Sequence, residues 1–150
     1  MKRVCVLGFL LLLARHASAY DGQIGDSLVE LRLSPSEQSL SFGQFLSPLV
    51  PVSLVVGGSA AGAGNGAPVA SLSMRIGYEG HHEGSALIPR ASADIGMGFD
   101  QAQGVGAVFG LRGGGAWYLI RSFGLGFDLG LHRRVGSFRL DGGVILLGRF

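Results

Sequence analysis

The last thirteen residues, Phe138 to Phe150, read FRLDGGVILLGRF and constrain the chain more than any other stretch. Taken two at a time, Phe138, Leu140, Gly142, Val144, Leu146, Gly148 and Phe150 share one face. Arg139, Asp141, Gly143, Ile145, Leu147 and Arg149 share the other. This is the period of a β-strand, in which successive side chains point to opposite sides. One face is apolar or small and the other carries three charges, so the two meet different surroundings. A strand of a soluble sandwich also alternates, but a final aromatic with no polar tail fits the closing strand of a transmembrane barrel, apolar face to lipid.

The other end has a different character. Met1, Lys2 and Arg3 give a positive start, Val4 to Ala14 is an apolar run, and Ala17-Ser18-Ala19 has the small residues of a signal-peptidase site. The expected organisation is a signal peptide over 1–19, cut after Ala19 with Ala17 at the other small position, and a barrel domain over 20–150. The apolar run is shorter than the roughly 20 residues a spanning helix needs. Removing Lys2, Arg3 and Arg15 lowers the net charge from +2 by three, to −1. The basic pI of about 9.1 therefore belongs to the precursor, and charge gives no argument for a nucleic-acid partner. The single cysteine, Cys5, leaves with the same segment, and with it disulfides, thiolate catalysis and cysteine metal sites.

The remaining residues contain no lysine and no threonine, yet hold every glycine of the 27 except Gly8. A soluble β-protein clothes its wet faces in lysine, threonine and glutamate. An apolar fraction of 47% without a membrane-length apolar run fits residues dealt out at every second position of a barrel.

Eight alternating stretches follow the lead at 20–25. They are 26–33, 38–46, 49–57, 70–78, 87–99, 105–119, 123–131 and 138–150, separated by Ser34-Pro35-Ser36-Glu37, Ser47-Pro48, the glycine-rich 57–68, EGHHEG at 79–84, Asp100 to Gln103, Ile120-Arg121-Ser122 and His132 to Ser137. Pro51 is awkward inside a closed sheet, because it removes a ladder donor, and is tolerable only near a strand end. Val105 to Leu119 keeps one parity through Arg112-Gly113-Gly114, so it reads as one long strand rather than a hairpin. The fold class predicted is all-β, an eight-stranded antiparallel up-and-down transmembrane β-barrel. With the C-terminus in the periplasm, Trp117, Phe123, Tyr78 and Phe150 fall at one set of strand ends and Phe99 and Phe138 at the other, where aromatic girdles sit.

The terminal alternating strand, the hairpin GGGAWYLIRSFGLGFDLGLH at 113–132 and the signal segment together resemble small bacterial outer-membrane β-barrels of the OmpA-like and OmpX-like group. The resemblance implies an outer-membrane location in a Gram-negative bacterium, reached after signal-dependent export. It also implies that Phe150, Leu146 and Val144 form the C-terminal insertion signal read by the barrel assembly machinery. Gly148 stands where that pattern often has an aromatic. The implied partners are outer-membrane lipid and lipopolysaccharide, for a monomer with no cofactor.

On the inward parity, Glu30, Asp94, Asp100, Asp128 and Asp141 face Arg32, Arg75, Arg112, Arg139 and Arg149. An eight-stranded barrel is just wide enough for its own side chains, so these are expected to pair into an ion network that plugs the interior. Hairpin register puts Arg112 near Asp94 and Asp128, and closure brings Asp141 toward Arg32. The expectation is a structural or surface-interaction protein, neither pore nor enzyme. Two alternatives are a lipid A-modifying enzyme of deacylase or acyltransferase type, built on His132 with Asp128 and Ser137, and a soluble periplasmic lipocalin-like ligand binder. The His-x-Ser pattern of the deacylases is absent, since Arg133 and Arg134 follow His132. His81-His82-Glu83 is a poor chelate, because neighbours in an extended segment point opposite ways. The glycine-rich 57–68 has no helix after it to make a phosphate loop. Arg133 and Arg134 on the outer side read first as a solvated loop, with contact to lipopolysaccharide phosphates as the alternative.

Overall fold

A computed structural model describes residues 23–59, 69–80, 86–101, 103–120, 122–134 and 137–150. The proposed signal segment with Ala17 and Ala19, most of the glycine-rich loop, and His81 to Glu83 lie outside the described residues.

Eight strands follow in chain order: β1 (Ser27–Leu33), β2 (Gln38–Ser47), β3 (Val50–Ser59), β4 (Val69–Glu79), β5 (Leu87–Asp100), β6 (Gly104–Ile120), β7 (Phe123–Arg134) and β8 (Ser137–Arg149). Each pairs antiparallel with the next, and β1 pairs with β8, so the sheet closes on itself. Closure leaves no free edge along the paired length, which is the condition for a sheet to lie in hydrocarbon. Past Arg149 the β1–β8 ladder continues through Ser27 and Phe150, which exchange backbone hydrogen bonds of 2.9 and 3.1 Å. The end where β1 begins and β8 finishes is the terminal end, and the opposite one the loop end.

The turns obey local chemistry. At the β1–β2 turn, the Ser34 amide donates to the Glu37 carbonyl at 2.8 Å and the Glu37 amide donates to Ser34 Oγ at 2.9 Å. At the β5–β6 turn, the Gln103 amide donates to Asp100 Oδ1 at 3.2 Å, and Gly104 follows with φ of 78°, a left-handed conformation that glycine adopts without strain. Pro51 is the second residue of β3 and faces Phe45 at a register shift in β2, where the ladder is already interrupted.

Alternate side chains part as the terminal stretch predicts. Leu54, Met74, Ile95, Met97, Leu111, Leu129, Leu140 and Val144 are all exposed on the outer wall. Trp117, Phe123, Tyr78 and Phe150 ring the terminal end, and Phe99 and Phe138 the loop end. Trp117 packs on Phe127 with ring centroids 5.6 Å apart, and the Phe127 ring covers the surface beside Gly115. Inside the terminal end, Leu28, Phe45, Ile88, Ala116, Tyr118, Ile145 and Leu147 form a buried apolar cluster. Above it the interior is charged.

Candidate functional site: the charged interior

The cluster that closes the terminal end also supports the first ion pair. Arg149 on β8 pairs with Glu79 on β4, each with about 1% of its side chain exposed. The Arg149 guanidinium lies 4.6 Å from the Phe45 ring and 4.2 Å from the Tyr118 ring, within the range of a cation–π contact. Arg90 on β5 donates to Glu79 Oε1 at 2.9 Å and also pairs with Glu30, which links this layer to the next.

In the middle of the barrel, Arg75 spans two acids, with Nε 2.6 Å from Asp94 Oδ1 and Nη1 2.9 Å from Glu30 Oε2. Arg112 shares Asp94, at 3.2 Å from its Nε. Its Nη1 stands 3.8 Å from Asp128 Oδ2 and its Nη2 3.6 Å from Glu37 Oε2.

Toward the loop end, Arg32 is 1% exposed and donates through Nε to both Asp128 oxygens, at 2.9 and 3.0 Å. Its Nη2 reaches Asp141 Oδ1 at 2.9 Å. Asp141 Oδ2 accepts from Ser34 Oγ at 2.9 Å and from Ser36 Oγ. His132 is 4% exposed, with Nδ1 3.6 Å from Asp141 Oδ1.

The long guanidinium groups need room from the wall. A Cβ at Gly143 would stand 2.9 Å from Arg32 Cζ, and one at Gly130 would stand 2.6 Å from Arg112 Cγ. Those glycines are where arginine side chains lie flat against the strands.

Several sequence expectations need correction. Arg139 is exposed rather than part of the interior set, because its position on β8 lies above the point where β1 has ended. Asp100 caps the β5–β6 turn instead of entering the barrel's middle. Glu79 ends β4 rather than opening the turn after it, and is 1% exposed. Glu37 and Arg90, outside the expected set, also belong to the network. Glu37 was hidden by its place in a turn, while the even parity of Arg90 in β5 was the available signal. On the outer wall of β8, Phe150 and Val144 are exposed and Leu146 is half-buried.

Among the described side chains, which leave out that of Ser137, the interior does not assemble an acyl-transfer site. Ser34 and Ser36 donate to Asp141, and His132 approaches the same carboxylate, so aspartate sits between serine and histidine. Nucleophilic catalysis needs the base beside the nucleophile. His132 faces inward rather than toward lipid, and Asp128 is held by Arg32. An interior lined by ion pairs is likewise no apolar pocket, which removes the basis for a lipocalin-like binder.

A closed antiparallel eight-stranded barrel with an apolar outer wall, aromatic rings at both ends and a charged, filled interior is the architecture of a small transmembrane β-barrel. No family model matches the sequence, and no curated protein matches it. Solved structures with this fold include the N-terminal β-barrel domain of Pseudomonas aeruginosa OprF, similar over 86% of this chain and 99% of that one, with a TM-score of 0.67 and 17% identity. Neisserial surface protein A, NspA, is similar over 83% of this chain and 92% of that one, with a TM-score of 0.56 and 12% identity. A de novo designed transmembrane barrel is similar over 87% of this chain and all of the design, with a TM-score of 0.60 and 12% identity. The likeness to the small outer-membrane barrels is one of fold.

Proposed function

We propose that the protein resides in the bacterial outer membrane after signal-dependent export and acts there as a closed structural or surface-interaction barrel, neither a pore nor an enzyme. The observation that carries this is the filled interior. The cavity among Glu30, Arg75, Arg90, Arg112 and Asp128 has a volume of about 30 Å³, and the apolar cluster around Phe45 and Leu147 closes the terminal end beneath it. That volume holds a water or two and offers no continuous path. Removing a partner from a buried ion pair is strongly unfavourable, which favours the network as the element that fixes the barrel's shape.

In this reading the outer wall of β8, with Phe150, Leu146 and Val144, engages the barrel assembly machinery. Arg133, whose Cζ lies 5.7 Å from the Phe138 ring, meets lipopolysaccharide phosphates at the loop end. In this reading the barrel works as a monomer. The direct test is reconstitution of the purified protein into planar bilayers. No conductance above the lipid background is expected, and reproducible single-channel steps would refute the closed-barrel function.

A further inference from the structure

We propose that the loop end of the barrel binds a divalent transition-metal ion of the Zn²⁺ class between Glu37, His132 and Asp141. These residues come from the β1–β2 turn, β7 and β8, and one donor atom from each lies within 4.8 Å of the others. A tetrahedral ion with bonds of about 2.0 to 2.1 Å holds its ligands roughly 3.4 Å apart. The 3.6 Å between His132 Nδ1 and Asp141 Oδ1 is close to that separation.

The imidazole supplies an independent observation. His132 is 4% exposed, and its buried Nδ1 makes no hydrogen bond. A buried polar atom in that state is unfavourable, and a metal bond would satisfy it. Asp141 is already oriented as outer hydrogen bonds orient a metal ligand, with Ser34 and Ser36 on Oδ2 turning Oδ1 toward His132. Arg32 occupies one lone-pair direction of Oδ1 and leaves the other. Glu37 Oε2 stands 3.8 Å from Arg32 and 3.6 Å from Arg112, so the ion would share this carboxylate with two guanidinium groups.

Access points the same way. The β1–β8 ladder stops at Leu33 and Val144, while β8 runs on to Ser137, so Asp141 lies beside an open stretch of wall with 10% of its side chain exposed. One imidazole with two carboxylates and no thiolate suits Zn²⁺ and its first-row neighbours rather than Cu(I), Mg²⁺ or Ca²⁺, with water completing the coordination.

The test is calorimetric titration of Zn²⁺ into the full chain, purified in detergent, stripped with chelator and shown to be folded by its boiling-dependent shift on a gel. One equivalent is expected to bind in the presence of excess Mg²⁺, at least tenfold more weakly in His132→Ala and in Glu37→Gln, and unchanged in the His81→Ala/His82→Ala pair. Zinc absorption spectra of the unsubstituted protein give a second measurement, independent of whether the variants fold, and a shell of nitrogen and oxygen with one imidazole is expected. The proposal is overturned by the absence of saturable binding, by equal affinity in a folded His132→Ala, by loss only in the His81→Ala/His82→Ala pair, or by a zinc shell without imidazole.

Discussion

Arg149 on β8 forms a buried ion pair with Glu79 on β4, the strand four positions away around a ring of eight, so the contact crosses the full width of the barrel. Two rings hold the guanidinium in place, Phe45 from β2 and Tyr118 from β6. Four strands, every second one around the barrel, thus meet at one arginine. A tie of this kind resists flattening of the barrel, which ladder hydrogen bonds between neighbours do not.

Glu79→Gln leaves Arg149 and Arg90 without a shared carboxylate in an enclosed site. The expected loss is about 3 kcal/mol, the lower part of the range for breaking a buried pair. Urea unfolding in lipid vesicles measures it. Adding Arg149→Met to Glu79→Gln should recover part of the loss, and full additivity of the two changes would show that the residues do not act as a pair.

Arg32→Leu and Arg139→Leu separate the interior from the rim. Arg32 holds Asp128 and Asp141, so its loss strands two acids and should lower the temperature at which the compact gel form disappears. Arg139 is exposed, and its replacement should stay within about 0.5 kcal/mol of the parent. Arg112→Leu should behave as Arg32→Leu does, because Asp94 and Asp128 both face it.

Gly143→Ala tests the packing of the Arg32 guanidinium. The new methyl would press on Cζ, Nε and Nη2 from 2.9 to 3.1 Å, and the group is pinned by its acids on the other side. A destabilisation of about 1 to 3 kcal/mol is expected from such overpacking, again by urea unfolding. Gly113→Ala is the control, since a Cβ there meets nothing within 4 Å.

Trp117 is the only tryptophan, so its fluorescence reports one depth. It lies near the terminal end of the outer wall, against Phe127. Emission should shift to the blue on folding into vesicles. Lipids brominated near the headgroup should quench it more than lipids brominated near the chain ends, and the reverse order would displace the aromatic ring from the interface.

The architecture was legible because a membrane barrel writes its wall into parity. β6 holds one parity from Val105 to Leu119, and no turn chemistry interrupts it, so its length followed directly. Hairpin neighbours were legible for the same reason, since antiparallel register places Arg112 beside Gly130 and Ser92, one layer from Asp128 and Asp94. Contacts across the lumen were not. Whether Arg149 meets Glu79 depends on tilt and stagger around the whole ring, which no single hairpin specifies. Turn residues also mislead, because Glu37 sits in a polar turn yet folds inward, where its carboxylate meets Arg32 and Arg112.

Strand length rises from 7 residues in β1 to 17 in β6 and falls to 12 and 13 in β7 and β8. At about 3.3 Å per residue and a tilt near 40°, those walls stand roughly 18 and 43 Å tall. A bilayer cannot match both heights at once. Lipid beside the β1–β2 hairpin must thin, or the barrel must lean toward that side, so the molecule imposes a lopsided thickness on its surroundings. The protein thereby marks one direction in the membrane plane, and the low side is where the chain's first strand meets its last.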